Sequence, residues 1–209
     1  MGQIILHDYW RSSSAYRVRI GLNLLGLAYE SRPVDLATGE QRAPDNMKIN
    51  PQGLVPTLEI DGLVLTQSLA ILDYLDETRG AGFLPTDAAG RAKVRALAMA
   101  VAIEVQPLCN LRVAKHAVAA SGGAITMQGW MQHFISTGLA DFAAMLGDSP
   151  YCYGDTVTLA DICLVPQVYN ARRWAVDLAA LPKLSAIAAR AAALPAFAAA
   201  HPDAVRPKG

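Results

Sequence analysis

Arg11-Ser12-Ser13-Ser14-Ala15-Tyr16-Arg17 stands where the short apolar run Ile4-Ile5-Leu6 gives way to a helical pattern, and the fold is read from this junction. A strand leading into a helix there crowds three hydroxyls at one helix N-terminus. The first N–H groups of a helix have no intrahelical acceptor, and the helix dipole adds partial positive charge at the same end. A hydroxyl in that turn either caps the helix or joins those N–H groups in donating to an anion, a thiolate included.

The same arrangement recurs further along. Thr57-Leu58-Glu59-Ile60 and Leu63-Val64-Leu65 flank Asp61-Gly62, a pair suited to a type I′ turn, which predicts an antiparallel hairpin. Directly after it, Gln67-Ser68 opens a second helical pattern, with Leu69, Leu72 and Leu75 on one face and Ile71 beside them. A hydroxyl and an amide at that N-terminus suit a carboxylate. Just before the hairpin, the Val55-Pro56 bond is open to either isomer, and Pro56 has no N–H.

Around these landmarks the pattern predicts a strand over Gln3–His7, a helix from Ser13 to Leu25 ended by Gly26, and a strand over Tyr29–Val34. Gly39–Ile49 is polar and only weakly helical. Gly80-Ala81-Gly82 and Pro85–Gly90 break the periodicity and divide the chain into domains 1–80 and 90–209, the second alanine-rich and helical. In that second domain Val94, Leu97, Ala98, Val101, Val105 and Leu108 form a core stripe. Gln106-Pro107 interrupts its helix and turns Asn110 and Arg112 toward a neighbouring cleft. Thr158-Leu159-Ala160-Asp161 has the form of a capping box.

Composition narrows the function. The 209 residues are ample for two cores, and 18 basic against 18 acidic residues leave no bulk charge to attract nucleic acid or a membrane. Apolar stretches such as Ala96–Ile103 fall short of the roughly 18 residues a membrane span needs, and no signal-peptide pattern is present, so a cytoplasmic protein is expected. Cys109, Cys152 and Cys163 form neither a CxxC pair nor an even framework, and His7, His116, His133 and His201 lack ligand spacing, so no metal site is expected.

The run Arg11-Ser12-Ser13-Ser14-Ala15-Tyr16-Arg17-Val18-Arg19-Ile20 resembles the Arg-Ser-Ser-Cys-x-x-Arg-Val-Arg-Ile signature of zeta-class glutathione transferases, with Ser14 in the cysteine's place. Asn50-Pro51-Gln52-Gly53-Leu54-Val55-Pro56-Thr57-Leu58, Gln67-Ser68-Leu69-Ala70-Ile71, Gln106-Pro107-Leu108, Gly154-Asp155, Leu159-Ala160-Asp161 and Leu164-Val165-Pro166-Gln167 through Ala171-Arg172-Arg173 are similar to that class in family order. Nearly the whole chain is covered. The resemblance implies an α/β thioredoxin-like N-terminal domain followed by an all-helical one, with glutathione as cofactor, and a homodimer.

It further implies a glutathione-dependent isomerase turning maleylacetoacetate into fumarylacetoacetate in aromatic amino-acid breakdown. Ser13 is the first candidate for thiolate donor, followed by Ser12 and Ser14. Gln67 and Ser68 would hold the γ-glutamyl end, Val55 and Pro56 the cysteinyl backbone, and Gln106 and Asn110 would reach glutathione from the helical domain. Arg11, Arg112, Arg172 and Arg173 would supply guanidinium forks matching carboxylates, which favours a dicarboxylate substrate over an apolar electrophile. The Arg172-Arg173 pair resembles bacterial maleylpyruvate isomerases. Maleylpyruvate isomerisation, action on small α-halo acids, and a non-catalytic binding role are the alternatives.

Overall fold

A computed structural model describes residues 2–207. The chain divides into two compact units, one of Met1–Gly82 with Leu194–Gly209, the other of Phe83–Ala193. The first unit opens with β1 (Ile5–Asp8), α1 (Ser13–Leu24) and β2 (Glu30–Pro33). After a 3-10 turn over Glu40–Arg42 come α2 (Pro44–Ile49), β3 (Thr57–Ile60), β4 (Leu63–Thr66) and α3 (Ser68–Arg79). The strands lie in the order β2-β1-β3-β4, β1 parallel to β2 and the other neighbours antiparallel, which is the thioredoxin-like sheet. Leu6, Val18, Leu22, Leu58, Leu72 and Leu75 are fully buried between sheet and helices.

Local chemistry shapes the turns. Asp61 and Gly62 both have positive φ, at 54° and 78°, as a type I′ hairpin requires. Tyr74 Oη, at 2.6 Å, and Arg79 both donate to the Asp61 carboxylate, tying the turn to α3. These donors hold Asp61 below its ordinary pKa, the Tyr74 bond more than the Arg79 one.

α9 (Pro195–Ala200) and α10 (Pro202–Val205) end the chain. The expected division gave all of 90–209 to the helical domain, whereas residues after 194 return to α1. Polar side chains of α1 reach carbonyls of this segment: Arg19 Nε donates to Ala200 O at 3.0 Å and Asn23 Nδ2 to Ala196 O at 3.1 Å. Phe197 and Ala200 are buried there. Alanine-rich helix looks alike on either side of Leu194, so only these tertiary contacts mark the crossing.

In the second unit α4 (Ala88–Met99) starts at an Asp87 cap, whose carboxylate accepts the Gly90 N–H at 2.8 Å. Gly90 therefore lies inside a helix, not in the linker where its breaker character placed it. The helix widens into a π segment over Ala100–Val105 and closes with the Gln106 N–H on Val101 O. Pro107, lacking an N–H, follows in a turn, so the interruption is a change of helix type and a fresh start at α5 (Leu111–Ala120) rather than one kinked helix. α6 (Met127–Met145), α7 (Leu159–Arg173) and α8 (Pro182–Ala192) complete this unit. Asp161 Oδ2 accepts both the Thr158 N–H, at 2.8 Å, and its hydroxyl, at 2.9 Å, while Oδ1 takes the Cys152 N–H at 2.9 Å. Asp161 is wholly buried, which fits the structural reading of this box.

Candidate active site

The sheet register brings the first unit's candidate residues to one end. His7 of β1 pairs with Thr57 of β3, and Thr57 pairs with Thr66 of β4. Three segments therefore leave the sheet side by side: the turn from Asp8 into α1, the loop entering β3 at Val55-Pro56, and Gln67-Ser68 entering α3. Sequence distance hides this; strand pairing creates it.

At the α1 terminus Ser12 is the N-cap, its Oγ accepting the Ala15 N–H at 3.2 Å. Ser13 and Ser14 follow, half-buried, and their hydroxyls and N–H groups have no acceptor among the described residues. Two orphan N–H groups and two uncommitted hydroxyls at the positive end of a helix suit an anion. Arg11 lies beside them, its guanidinium 5.0 Å from the Trp10 ring centroid and 3.3 Å from Tyr9 Oη. That stacking holds a cation at the rim of the turn.

The loop before β3 is organised by Asn50, 4% exposed, which donates to Leu54 O at 3.0 Å and Thr57 Oγ1 at 3.3 Å and accepts the Gln52 N–H at 3.0 Å. Gly53, at φ 59°, needs the left-handed region, and a Cβ there would lie 2.7 Å from the Arg42 side chain. The Val55-Pro56 peptide is cis. Val55 makes no backbone hydrogen bond among the described residues, so its N–H and C=O are available to an extended peptide.

Gln67 has φ 68° and ψ 114°, a conformation costly for a side-chain-bearing residue and characteristic of binding sites. Its Nε2 donates to Gln52 Oε1 at 2.8 Å. Ser68 is buried, and Arg17 Nη1 donates to its Oγ at 3.2 Å. Gln52 and Arg17 both lie within the family motifs, but neither drew a role there: a glutamine in a loop and an arginine in mid-helix are ordinarily surface residues. Arg17 and Arg19 are each 1% exposed, Arg19 held by both Asp8 oxygens at 2.7 Å. Burial still pushes the Asp8 carboxyl above its ordinary value, with Arg19 opposing it.

In the second unit, Gln106 ends the π segment half-buried, and Asn110 caps α5, its Oδ1 accepting the Arg112 N–H at 3.0 Å. The Asn110 carbonyl is thus committed to the helix, leaving its amide N–H groups. Arg112 is exposed in the first turn of α5, and Arg172 and Arg173 are exposed in the last turn of α7. The Arg173 guanidinium stacks 5.0 Å from the Trp174 ring centroid.

The protein's own thiols are poor nucleophiles. Burial pushes Cys109 up to about 12 and Cys152 higher still, and Cys163 is fully buried. Ser14 stands in the signature's cysteine position, so the turn into α1 carries no thiol of its own. Among the described residues no His, Cys, Asp and Glu group fits a metal ion, and no helix is long and apolar enough to cross a membrane.

A thioredoxin-like sheet unit followed by a helical unit is the architecture of the glutathione transferase fold, and residues 2–77 match the glutathione S-transferase N-terminal domain. Maleylacetoacetate isomerase of Rhizobium meliloti (strain 1021) is 56% identical over 211 residues, covering 98% of this chain and 99% of that protein. The holo structure of a maleyl pyruvate isomerase, a bacterial zeta-class glutathione S-transferase, superposes with a TM-score of 0.92 at 39% identity over 98% of this chain and 100% of that one. Maleylacetoacetate isomerase from Anaeromyxobacter dehalogenans 2CP-1, with dicarboxyethyl glutathione and citrate in its active site, gives 0.85 at 43% identity over 98% and 93% of the two chains. The chain belongs to the zeta-class glutathione transferase and maleylacetoacetate isomerase family.

Proposed function

We propose that this protein isomerises the cis double bond of maleylacetoacetate to trans, with glutathione as a cofactor that is not consumed. Bound glutathione would supply the thiolate, the reversible nucleophile that isomerising an alkene conjugated with a carbonyl needs. The residues present fit that role. Ser13 Oγ and the N–H groups of Ser13 and Ser14 would hold the sulfur as its anion, with Ser12 keeping the helix capped. Val55 would pair with the cysteinyl backbone, Pro56 shaping that edge, and Gln67 and Ser68 would take the γ-glutamyl carboxylate. Gln106 and the Asn110 amide are the further contacts assigned to glutathione.

Arg11, Arg112, Arg172 and Arg173 would orient the substrate carboxylates and stabilise the negative charge that develops on the carbonyl oxygen. The observation that carries this reading is the pair of orphan N–H groups beside the uncommitted Ser13 hydroxyl, in a chain where burial pushes the Cys109 and Cys152 thiols upward. The reading includes a cytoplasmic homodimer: Met99 and Ile103 of the second unit are 42% and 52% exposed, apolar surface that a second copy would cover.

The test is turnover with trace glutathione and excess substrate. Trans product should far exceed the glutathione supplied, and one product per glutathione would refute isomerisation in favour of conjugation. Maleylpyruvate is the second reading, favoured by the Arg172-Arg173 pair and by the likeness to the maleyl pyruvate isomerase. Comparing kcat/KM on the two substrates decides between them.

A further inference from the structure

Arg17 lies on α1 one turn beyond Ser13, yet its side chain turns away from solvent and reaches a different helix. It is 1% exposed, and its Nη1 donates at 3.2 Å to Oγ of Ser68, itself 6% exposed and the first residue of α3. A hydroxyl has one proton and two lone pairs. With a guanidinium N–H on one lone pair, the Ser68 proton is left for an acceptor elsewhere, and a charged donor strengthens the hydroxyl's own donation. Arginine stays protonated at any working pH, so the donor on the Ser68 hydroxyl is a charged one.

We propose that Arg17 is a positioning residue for glutathione: acting through Ser68, it makes the start of α3 selective for the α-carboxylate of the γ-glutamyl end. The inference rests on the assignment of Ser68 to that carboxylate made above. Arg17 meets the ligand only through the serine it polarises, and it links the two helix N-termini of the site, since α1 carries Ser13 at its start and Arg17 one turn later. Without the guanidinium, Ser68 would be an ordinary N-terminal hydroxyl, free to direct its proton to any acceptor within reach.

The test uses glutathione and γ-aminobutyryl-cysteinylglycine, which lacks only the α-carboxylate. Calorimetry on the parent protein, Arg17→Met, Arg17→Lys, Ser68→Ala and the Arg17→Met/Ser68→Ala pair gives the ratio of the two dissociation constants. The parent should prefer glutathione. Arg17→Met should cut that preference by about tenfold, the scale of one charge-assisted hydrogen bond, and leave binding of the analogue nearly unchanged. Arg17→Lys should restore part of the preference, and the double variant should lose less than the sum of the singles.

If Ser68→Ala leaves the preference intact, the Ser68 assignment fails and this proposal with it. If Ser68→Ala lowers the preference and Arg17→Met lowers only thermal stability, Arg17 merely packs α1 against α3 and the proposal alone is overturned. Should Arg17→Met not fold, arginine-labelled parent protein supplies the readout by NMR. A buried guanidinium signal, assigned through Arg17→Lys, should move with glutathione and stay in place with the analogue; a signal unmoved by glutathione overturns the proposal.

Discussion

Replacing Ser13 by alanine tests the thiolate site at the atom assigned to it. The variant keeps the Ser12 cap and the orphan N–H groups of Ser13 and Ser14, so it removes one O–H donor and leaves the helix terminus otherwise intact. A hydrogen bond to a charged partner is worth about 1.5–3 kcal/mol, and each pKa unit corresponds to about 1.4 kcal/mol, so the bound glutathione thiol should rise by about one to two units. Below the parent's thiol pKa, kcat/KM should fall by the same ten- to hundredfold; well above it, the two proteins should converge. Ultraviolet absorbance of the bound thiolate, titrated against pH, measures the shift directly. Ser12→Ala is the control: losing its bond to the Ala15 N–H should lower stability by about 1 kcal/mol and leave the titration alone. A Ser13 variant titrating like the parent, with Ser12→Ala or Ser14→Ala shifted instead, refutes the assignment.

Arg173→Ala should lower kcat/KM for the diacid by about one to two orders of magnitude through loss of a charged hydrogen bond, with glutathione affinity unchanged. An equal loss toward an uncharged chloronitroaromatic would make Arg173 a support of the fold. Arg19→Met leaves Asp8 buried without its guanidinium partner and removes the bond to Ala200 O, so denaturant unfolding should show a loss of about 3–5 kcal/mol. Protease should then cut after residue 193 before it cuts elsewhere, and uniform cleavage would argue against that anchoring. Asp61, whose folded pKa lies below its unfolded value, contributes stability that is present above about pH 4 and is lost as pH falls through the folded pKa. Asp61→Asn should therefore flatten the acid limb of the melting profile, and an unchanged limb would show that the Tyr74 and Arg79 bonds do not stabilise the hairpin.

What the sequence determined by itself is local chemistry. Asp61-Gly62 between two apolar runs specifies a hairpin because few residue pairs accept two positive φ angles in succession. The Ser12-Ser13-Ser14 run marks a helix start, and Thr158 and Asp161 mark another, because their side chains bond backbone groups within a few residues. The family's motifs stand at those same local turns, which is why the family was legible in the sequence. Tertiary structure alone decided how these pieces meet. Strand register set Val55, Gln67 and the α1 turn at one sheet end, and the Val55-Pro56 bond, open to either isomer in the sequence, is cis in the folded chain. Arg17 and Arg19 sit among residues whose spacing says only helix; that they are buried follows from Ser68, Asp8 and Ala200, which lie 51, 11 and 181 residues away in the chain. A charged side chain goes inside only where partners compensate its lost hydration; Ser68 and Ala200 lie far outside any local window, and Asp8 reaches Arg19 only through the turn between β1 and α1.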